Sequence, residues 1–323
     1  MSNRYNEIAQ KVLNINQHEF SDICDEIFQY QVKENEIYKR WVSLVRPHTP
    51  DLYPFLPIAQ FKKNKIVSSQ FIAEKIFESS STTGKGLSYH HVKSLEFYKN
   101  YSQQRFEEKL GGINQYHFMA LLPGYLERGQ SSLVHMAEEF MKLSENSGGF
   151  YLNDYKRLID NVNSFKDKRV ILLGVSHALL DLGEKHPNCF QNPPIIMETG
   201  GMKGKRKELT KAELHEKLKS HFGVQNIESE YGMTELLGQF YSKKDGIFEE
   251  NNTMRVVITD INDPYKVLAP GKRGRINIID LGNIHSCSFI ATEDLGLKHT
   301  ENTFQVLGRI SHSEARGCNQ IFE

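Results

Sequence analysis

Between Ile66 and Tyr241, short apolar runs alternate with amphipathic stretches, and few folds accommodate that alternation. Strands are expected at 72–77, 117–122, 170–173, 195–197 and 227–231, with helices at 90–110, 133–143, 155–162, 176–182 and 210–222. Apolar strands interleaved with amphipathic helices build a largely parallel sheet with helices packed on it. Thr210 and Glu213 have capping-box spacing, which fixes the start of the last helix. After Tyr241 the pattern changes: 255–260, 275–281, 288–291 and 304–307 read as strands separated by turns, with no convincing helix. Upstream, Phe20, Ile23, Cys24, Ile27 and Phe28, then Ile37, Tyr38, Trp41, Leu44 and Val45, recur at helical spacing and suit core packing. Pro47, Pro50, Pro54 and Pro57 break that pattern. The expected class is α/β, with largely parallel sheets flanked by helices and a β-rich C-terminal part. Its expected divisions are a helical segment at 1–60, an α/β domain at 61–240 and the β-rich part at 241–323.

The 323 residues suffice for one large α/β domain or two smaller ones. Lysine plus arginine balance aspartate plus glutamate at 40 each, so no global charge draws the chain to nucleic acid or an anionic membrane. No apolar run approaches membrane-spanning length, and Met1-Ser2-Asn3-Arg4-Tyr5 lacks a signal peptide's apolar region. A soluble cytoplasmic protein is expected, and an oligomer is compatible with these features. Cys24, Cys189, Cys287 and Cys318 are far apart and lack metal-type spacing, so free thiols in a reducing compartment are expected.

Ser79-Ser80-Ser81-Thr82-Thr83-Gly84-Lys85-Gly86 follows the apolar pair Ile76-Phe77, ahead of a segment expected to be helical from about Tyr89. Hydroxyls and unhindered backbone N–H groups at a strand end suit a phosphate chain. The strict P-loop pattern fails: its first glycine is absent, and Gly86 stands where a Mg²⁺-binding hydroxyl would follow the lysine. An ordinary turn explains this loop equally well in isolation. Tyr231-Gly232-Met233-Thr234-Glu235 falls at a predicted strand end, where α/β sheets bind ligands. The ring suits an adenine face, the threonine hydroxyl a phosphate and the glutamate Mg²⁺. In Glu198-Thr199-Gly200-Gly201-Met202 the glycine pair would let a flat base lie against the backbone. The basic run that follows, Lys203-Gly204-Lys205-Arg206-Lys207, fits a solvated turn, a polyphosphate contact or the docking of an acidic partner. Asp294, in Thr292-Glu293-Asp294-Leu295-Gly296, could take two ribose hydroxyls, and Gly308-Arg309 could bring a guanidinium to the same sugar. Each motif alone reads as well as a surface turn or a strand–helix junction. Gly174-Val175-Ser176-His177-Ala178 lacks the second glycine of a nucleophile elbow, which leaves a serine hydrolase poorly supported. His117, His135 and His177 fall in apolar or helical segments and suit core or surface positions.

In this order, the pieces resemble the adenylate-forming enzymes. The nearest resemblance is to the acyl-protein synthetases, the fatty-acid-activating component of bacterial luminescence systems, with the phenylacetate–CoA ligases more distant. The closer match is carried by Leu56-Pro57-Ile58 with Phe61-Lys62, by Leu122-Pro123-Gly124-Tyr125-Leu126-Glu127-Arg128 with Ser131-Ser132-Leu133-Val134, and by Glu198 through Gly204. It continues in Ile279-Asp280-Leu281-Gly282-Asn283 and in Ser313-Glu314, Arg316-Gly317-Cys318-Asn319. It spans the chain from about Phe28 onward.

The resemblance implies ATP and Mg²⁺ as cofactors and assigns roles. Ser80, Ser81, Thr82, Thr83 and Gly84 would cradle phosphates, while the role of Lys85 stays open, because Gly84-Lys85-Gly86-Leu87 departs from the usual Gly-x-Pro-Lys. Thr234 and Glu235 would handle the α-phosphate and Mg²⁺, Tyr231 and Gly232 with Gly200 and Gly201 the adenine, and Asp294 and Arg309 the ribose. His90 falls near a frequent Thr-His pair of the superfamily, and its role is open. Larger relatives carry a further C-terminal subdomain with a catalytic lysine, which has no counterpart here. Acyl-protein synthetases pass the acyl group to a cysteine near their own C-terminus, a position that Cys318 matches. A thiol of pKa ~8.5 is a few per cent thiolate at neutral pH, and Arg316 or His312 would increase that fraction. The implied function is activation of a fatty or aryl carboxylic acid, a long-chain acid first, with transfer through Cys318 to an acceptor protein such as a fatty-acyl reductase. Leu121-Leu122 and the Met- and Phe-rich segments could line an apolar tunnel, or simply pack the core. The alternatives are an acyl- or aryl-CoA ligase and a non-catalytic acyl-carrier or scaffold subunit.

Overall fold

The computed structural model describes residues 2–45, 52–79, 86–125, 129–144, 148–202, 206–207 and 209–310. Its N-terminal part holds three helices, α1 (Ser2–Leu13), α2 (Phe20–Glu34) and α3 (Glu36–Val45), where two were expected. In α1, Tyr5, Ile8, Ala9 and Val12 sit on one buried face, the spacing of an amphipathic helix. Leu44, expected in the core, is 64% exposed, so its place on the apolar stripe does not bury it.

Strand β1 (Leu56–Pro57) precedes a hairpin of β2 (Lys75–Glu78) and β3 (Tyr89–Val92), paired antiparallel from Lys75↔Val92 to Glu78↔Tyr89. This corrects the expected helix start near Tyr89. His90 is a strand residue, and helix α4 (Leu95–Leu110) begins only after Ser94, whose hydroxyl accepts from the Phe97 N–H at 3.2 Å. The hydroxyl-rich loop is therefore flanked by strands on both sides, and its residues 80–85 lie outside the described residues. Ile72, expected to open β2, is 93% exposed and lies outside the strand.

The central sheet follows the expected alternation: β4 (Tyr116–Leu121), α5 (Ser132–Leu143), β5 (Gly149–Phe150), α6 (Tyr155–Ser164), β6 (Arg169–Val175), α7 (Ser176–Lys185), β7 (Ile195–Thr199), α8 (Lys211–Phe222), β8 (Glu228–Tyr231) and β9 (Phe240–Ser242). The two short strands β5 and β9 were not expected. Spatial order is β5-β4-β6-β7-β8-β9, parallel throughout except for β9, which runs antiparallel to β8. All of β4, and β6 from Val170, are buried, as continuous apolar strands between two helix layers must be. Helix α8 has the expected capping box between Thr210 and Glu213 and ends at Gly223 in the left-handed conformation.

The second sheet takes β10 (Ile247–Glu249), β11 (Met254–Thr259), β12 (Arg273–Asp280), β13 (Phe289–Lys298) and β14 (Thr303–Arg309) in the order β10-β14-β13-β12-β11. These strands pair antiparallel, and β1 joins parallel to β13. The class is α/β with a β-rich C-terminal part. Gly274 in β12 has no room for a side chain: a Cβ there would lie 2.2 Å from the Thr259 carbonyl oxygen. Because that neighbour is backbone, Gly274→Ala is expected to destabilise the fold by about 2 kcal/mol. Urea denaturation should find Gly201→Ala, whose Cβ would meet nothing within 4 Å, within about 0.5 kcal/mol of the parent.

Candidate functional site

The site is built where the β8 end of the central sheet meets the second sheet. Tyr231 closes β8, and its phenol donates to Asp294 Oδ2 on β13 at 2.8 Å. The ring packs against Phe240, Phe248 and Phe304, with centroids 6.4, 5.7 and 6.3 Å away. Asp294 pairs in register with Arg309 of β14, whose Nε lies 3.9 Å from Oδ1. Burial raises the Asp294 carboxyl, and the Tyr231 hydroxyl and the Arg309 charge partly offset that. Thus Tyr231, Asp294 and Arg309, distant in sequence, form one contact chain.

The turn after Tyr231 carries Gly232, Thr234 and Glu235. His90 on β3 fixes it from one side, with Nδ1 2.7 Å from the Thr234 carbonyl oxygen. Burial lowers the His90 pKa to about 4, so the ring is neutral at pH 7 and Nδ1 carries the proton it donates to that carbonyl. His90 is therefore a strut for the turn. Glu235 is buried, and burial raises its carboxyl above the ordinary range against the Ser88 hydroxyl, its own backbone and the charges of Lys62 and Arg309. Such an under-compensated buried carboxylate is suited to a cation. Among the described residues no group of three or more His, Cys, Asp or Glu could hold a metal. A single carboxylate fits Mg²⁺, which usually takes one or two carboxylates together with phosphate oxygens and water.

The turn is held from below by a motif whose role the sequence did not reveal. Asp280, fully buried at the end of β12, accepts from the N–H groups of Leu237 and Gly238, both at 2.9 Å, and from Tyr101 Oη at 2.8 Å. Asn283 donates through Nδ2 to the Glu235 carbonyl at 2.8 Å. A carboxylate ending an apolar strand and followed by Leu-Gly-Asn was the available signal.

Gly200 and Gly201 follow β7, the strand beside β8, in register Thr199↔Glu230. Gly200 has φ 69°, which favours glycine, and Gly201 is open at its Cβ position. Beneath them lie two carboxyls in opposite states. Glu198 is fully buried, and burial resists its ionisation. Lys211 at 2.5 Å and His215 at 3.4 Å override burial and hold it at about 2. Burial pushes Glu230 up to about 7; the Thr199 hydroxyl bond opposes this and the Glu198 charge adds to it. Ser176 is buried and donates to Glu198 at 3.1 Å, so it belongs to this network.

Of the expected site residues, Thr234, Glu235, Tyr231, Gly232, Asp294 and Arg309 come together, with Gly200 and Gly201 on the adjacent strand end. Ser80, Ser81, Thr82, Thr83, Gly84, Lys85 and Cys318 lie outside the described residues. Among the described cysteines, burial pushes Cys24 and Cys287 up to about 12 and Cys189 to about 11, so none is a ready nucleophile. No helix among the described residues is long and apolar enough to cross a membrane.

No family model matches this chain, and neither does any curated protein sequence. Solved structures do share the fold. An open conformation of 2-hydroxyisobutyryl-CoA ligase, in complex with 2-HIB-AMP and CoA, is similar at TM-score 0.64 and 13% identity, covering 89% of this chain and 73% of that one. ATP-bound MatB from Rhodopseudomonas palustris is similar at TM-score 0.55 and 16% identity, covering 75% of this chain and 49% of its own. O-succinylbenzoate CoA synthetase (MenE) from Bacillus subtilis, in complex with ATP and magnesium ion, matches at TM-score 0.55 and 18% identity, over 74% of this chain and 51% of its own. The chain thus spans about half the length of MatB and MenE, and at these identities the likeness is one of fold.

Two measurements check the electrostatics. Asp280→Asn would place an amide donor against donors and is expected to cost about 3 kcal/mol in urea denaturation. For Glu230 the folded pKa, about 7, exceeds its ordinary 4.5, so the protonated form stabilises the fold. That contribution is complete below about 4.5 and is lost as pH rises through about 7. Glu230→Gln, which cannot ionise, should therefore gain on the parent protein as pH rises from 5 to 8; parallel stability–pH curves for the two would contradict the assignment.

Proposed function

We propose that this chain activates a carboxylic acid with ATP and Mg²⁺, forming an acyl-adenylate and releasing pyrophosphate. The observation that carries the reading is the meeting of Tyr231, Glu235, Asp294 and Arg309 at the join of two sheets, in a fold like that of the CoA synthetase and ligase structures. The open part of the half-buried Tyr231 ring offers an apolar face for adenine, with Gly200 and Gly201 leaving room for the base on the neighbouring strand end. Asp294 retains acceptor capacity for ribose hydroxyls, and Arg309 flanks the same sugar. Mg²⁺ would sit at Glu235, where it neutralises charge on the phosphates. Lys62 and Arg309 add positive charge around that carboxylate. The substrate carboxylate oxygen attacks the α-phosphorus, a P–O bond forms, and the bond to pyrophosphate breaks. Catalysis is positioning and charge neutralisation, as in phosphoryl transfer generally.

In the same reading, Ser80 through Gly84 cradle the phosphates, and the Cys318 thiolate attacks the acyl carbonyl, releasing AMP and leaving a thioester. A fatty acid is the leading substrate and an acyl-acceptor protein the destination. A second reading, an acyl- or aryl-CoA ligase, is favoured by the similarity to 2-hydroxyisobutyryl-CoA ligase with CoA bound.

Acid-dependent ATP–pyrophosphate exchange tests the shared step. Glu235→Gln should lower it about 100-fold. No exchange with any acid would favour a non-catalytic carrier or scaffold. Labelled acid plus ATP should leave a hydroxylamine-sensitive label that disappears in Cys318→Ser while exchange survives. A label indifferent to that substitution, with turnover accelerated by CoA, would select the ligase reading instead.

A further inference from the structure

Lysines from one loop and rings from the neighbouring strand enclose a basic cavity beside the candidate site. Its volume is about 360 Å³, and Lys62, Lys63 and Lys65 line it together with Tyr89 and His91 of β3. No carboxylate among the described residues lines it; Glu78, opposite Tyr89 in the hairpin, is not on its wall. Among the described residues none of the three lysines has an ion-pair partner. Elsewhere Lys11, Lys109, Lys211 and Lys298 each meet a carboxylate at 2.8 Å or less. Three unmatched cations around one hollow repel one another until an anion enters.

A solvated run of lysines needs no fixed backbone, but this one has it. Phe61 is buried, with its ring edge-on to His90 at 6.1 Å. The N–H groups of Lys63 and Asn64 both donate to the Gln60 carbonyl, at 3.1 and 2.9 Å, and Asn64 Nδ2 donates to Gln60 Oε1 at 2.8 Å. At the far end Ile66 is buried, and its carbonyl accepts from the Ser286 hydroxyl at 3.0 Å. The loop is thus ordered before any ligand arrives, which lowers the cost of binding one.

His91 gives a second, independent sign. Its Nδ1 is buried and has no hydrogen-bond partner among the described residues. Burial, and then the Lys65 charge, lower its pKa, so the ring is neutral at pH 7 and one nitrogen carries a proton that it can donate. Size and charge define the ligand class. The cavity falls within the range of small-molecule sites, roughly 300–1,000 Å³, and three cations suit a multiply charged anion. The Lys62 charge also reaches Glu235, so the cavity adjoins the carboxylate assigned to Mg²⁺.

We propose that this cavity binds a diphosphate group, held by Lys62, Lys63 and Lys65 with the His91 ring beside them. The site stands on the cavity itself; only the source of its ligand rests on the adenylation reading. Under that reading the source is pyrophosphate released from ATP or the diphosphate of CoA.

The test is calorimetric titration of the full chain with pyrophosphate and with CoA, in magnesium-free buffer without ATP or acid. Lys63→Gln/Lys65→Gln, which changes two exposed side chains, should weaken the binding by about tenfold or more. Lys266→Gln/Lys272→Gln, an equal loss of exposed charge elsewhere, should leave it unmoved. In pyrophosphate exchange the first variant should raise the KM for pyrophosphate and leave the KM for the acid unchanged. Displacement of pyrophosphate by CoA but not by pantetheine, which lacks the diphosphate, supports the site with CoA as source; displacement by neither supports it with released pyrophosphate. No saturable binding of either anion would overturn the proposal, as would equal losses in the two double variants. Orthophosphate binding as tightly as pyrophosphate would also overturn it. Binding that depends on Lys63 and Lys65 without any exchange keeps the site and removes adenylation, whereas exchange without such binding keeps adenylation and removes the site.

Discussion

The candidate site depends on one buried carboxylate. Asp280 gathers the N–H groups of Leu237, Gly238 and Gly282 and the Tyr101 hydroxyl, and so ties the turn after β8 to the end of β12 and to helix α4. Burial alone would favour the neutral acid, and it does raise the carboxyl. The four donors offset that cost and make the arrangement directional, because each lone pair is already committed. Asn283 extends the clamp to the Glu235 carbonyl, and His90 closes it at the Thr234 carbonyl. The two residues expected to meet phosphate and metal thus sit on a backbone pinned from three elements. Such pinning is what a site acting through fixed charges requires, since a mobile turn would spend binding free energy on its own ordering.

Much of the architecture was legible because burial writes itself into the sequence. Strands β4, β6 and β7 are continuous apolar runs, and the capping box of α8 is a local signal that needs no tertiary help. The failures have equally local causes. Tyr89-His90-His91-Val92 has no apolar run, and its strand character comes from pairing with β2 and from the burial of His90 and Val92. Helix α1 did carry an amphipathic signal in Tyr5, Ile8, Ala9 and Val12, but the polar residues between them obscured it. Leu44 continued a stripe that had nothing left to pack against. Tyr231, Glu235 and Arg309 were readable because their motifs stand at strand ends, whereas Asp294, expected in a turn, lies inside β13, which continues to Lys298. The supports, Asp280, Asn283 and His90, were not, because their partners lie up to 179 residues away.

Glu198 and Glu230 show most plainly what a sequence leaves undetermined. They occupy adjacent strand ends and are both buried, yet one is held at about 2 and the other at about 7. The difference is direct pairing with Lys211 and His215, which Glu198 has and Glu230 lacks. Lys211 opens helix α8 thirteen residues after Glu198 and reaches Glu198 at 2.5 Å, which keeps that carboxylate charged. Glu230 has the Thr199 hydroxyl and, as the smallest influence, the Lys211 charge in favour of ionisation, against burial and the repulsion of Glu198. Environments that drive neighbouring carboxyls apart give them different behaviour: Glu198 stays charged as an anchor for Lys211, while Glu230 exchanges its proton near neutral pH.

The proposed ligand site lies at the join of the sheets. Strand β9 runs against the direction of its parallel neighbours and ends the central sheet, so the chain passes to the second sheet beside Tyr231. The phenol is already committed to Asp294, and the ring stacks near-parallel to Phe240 and meets Phe248 and Phe304 at steeper angles. An aromatic held by its ring neighbours and its polar tip cannot rotate freely, so the orientation of its plane is fixed by the fold. Because Tyr231 and Glu230 are consecutive on one strand, that fixed ring also fixes the opposite face. The pleat of β8 thereby holds the Tyr231 and Glu230 faces in fixed register on the strand that leads into the Thr234–Glu235 turn.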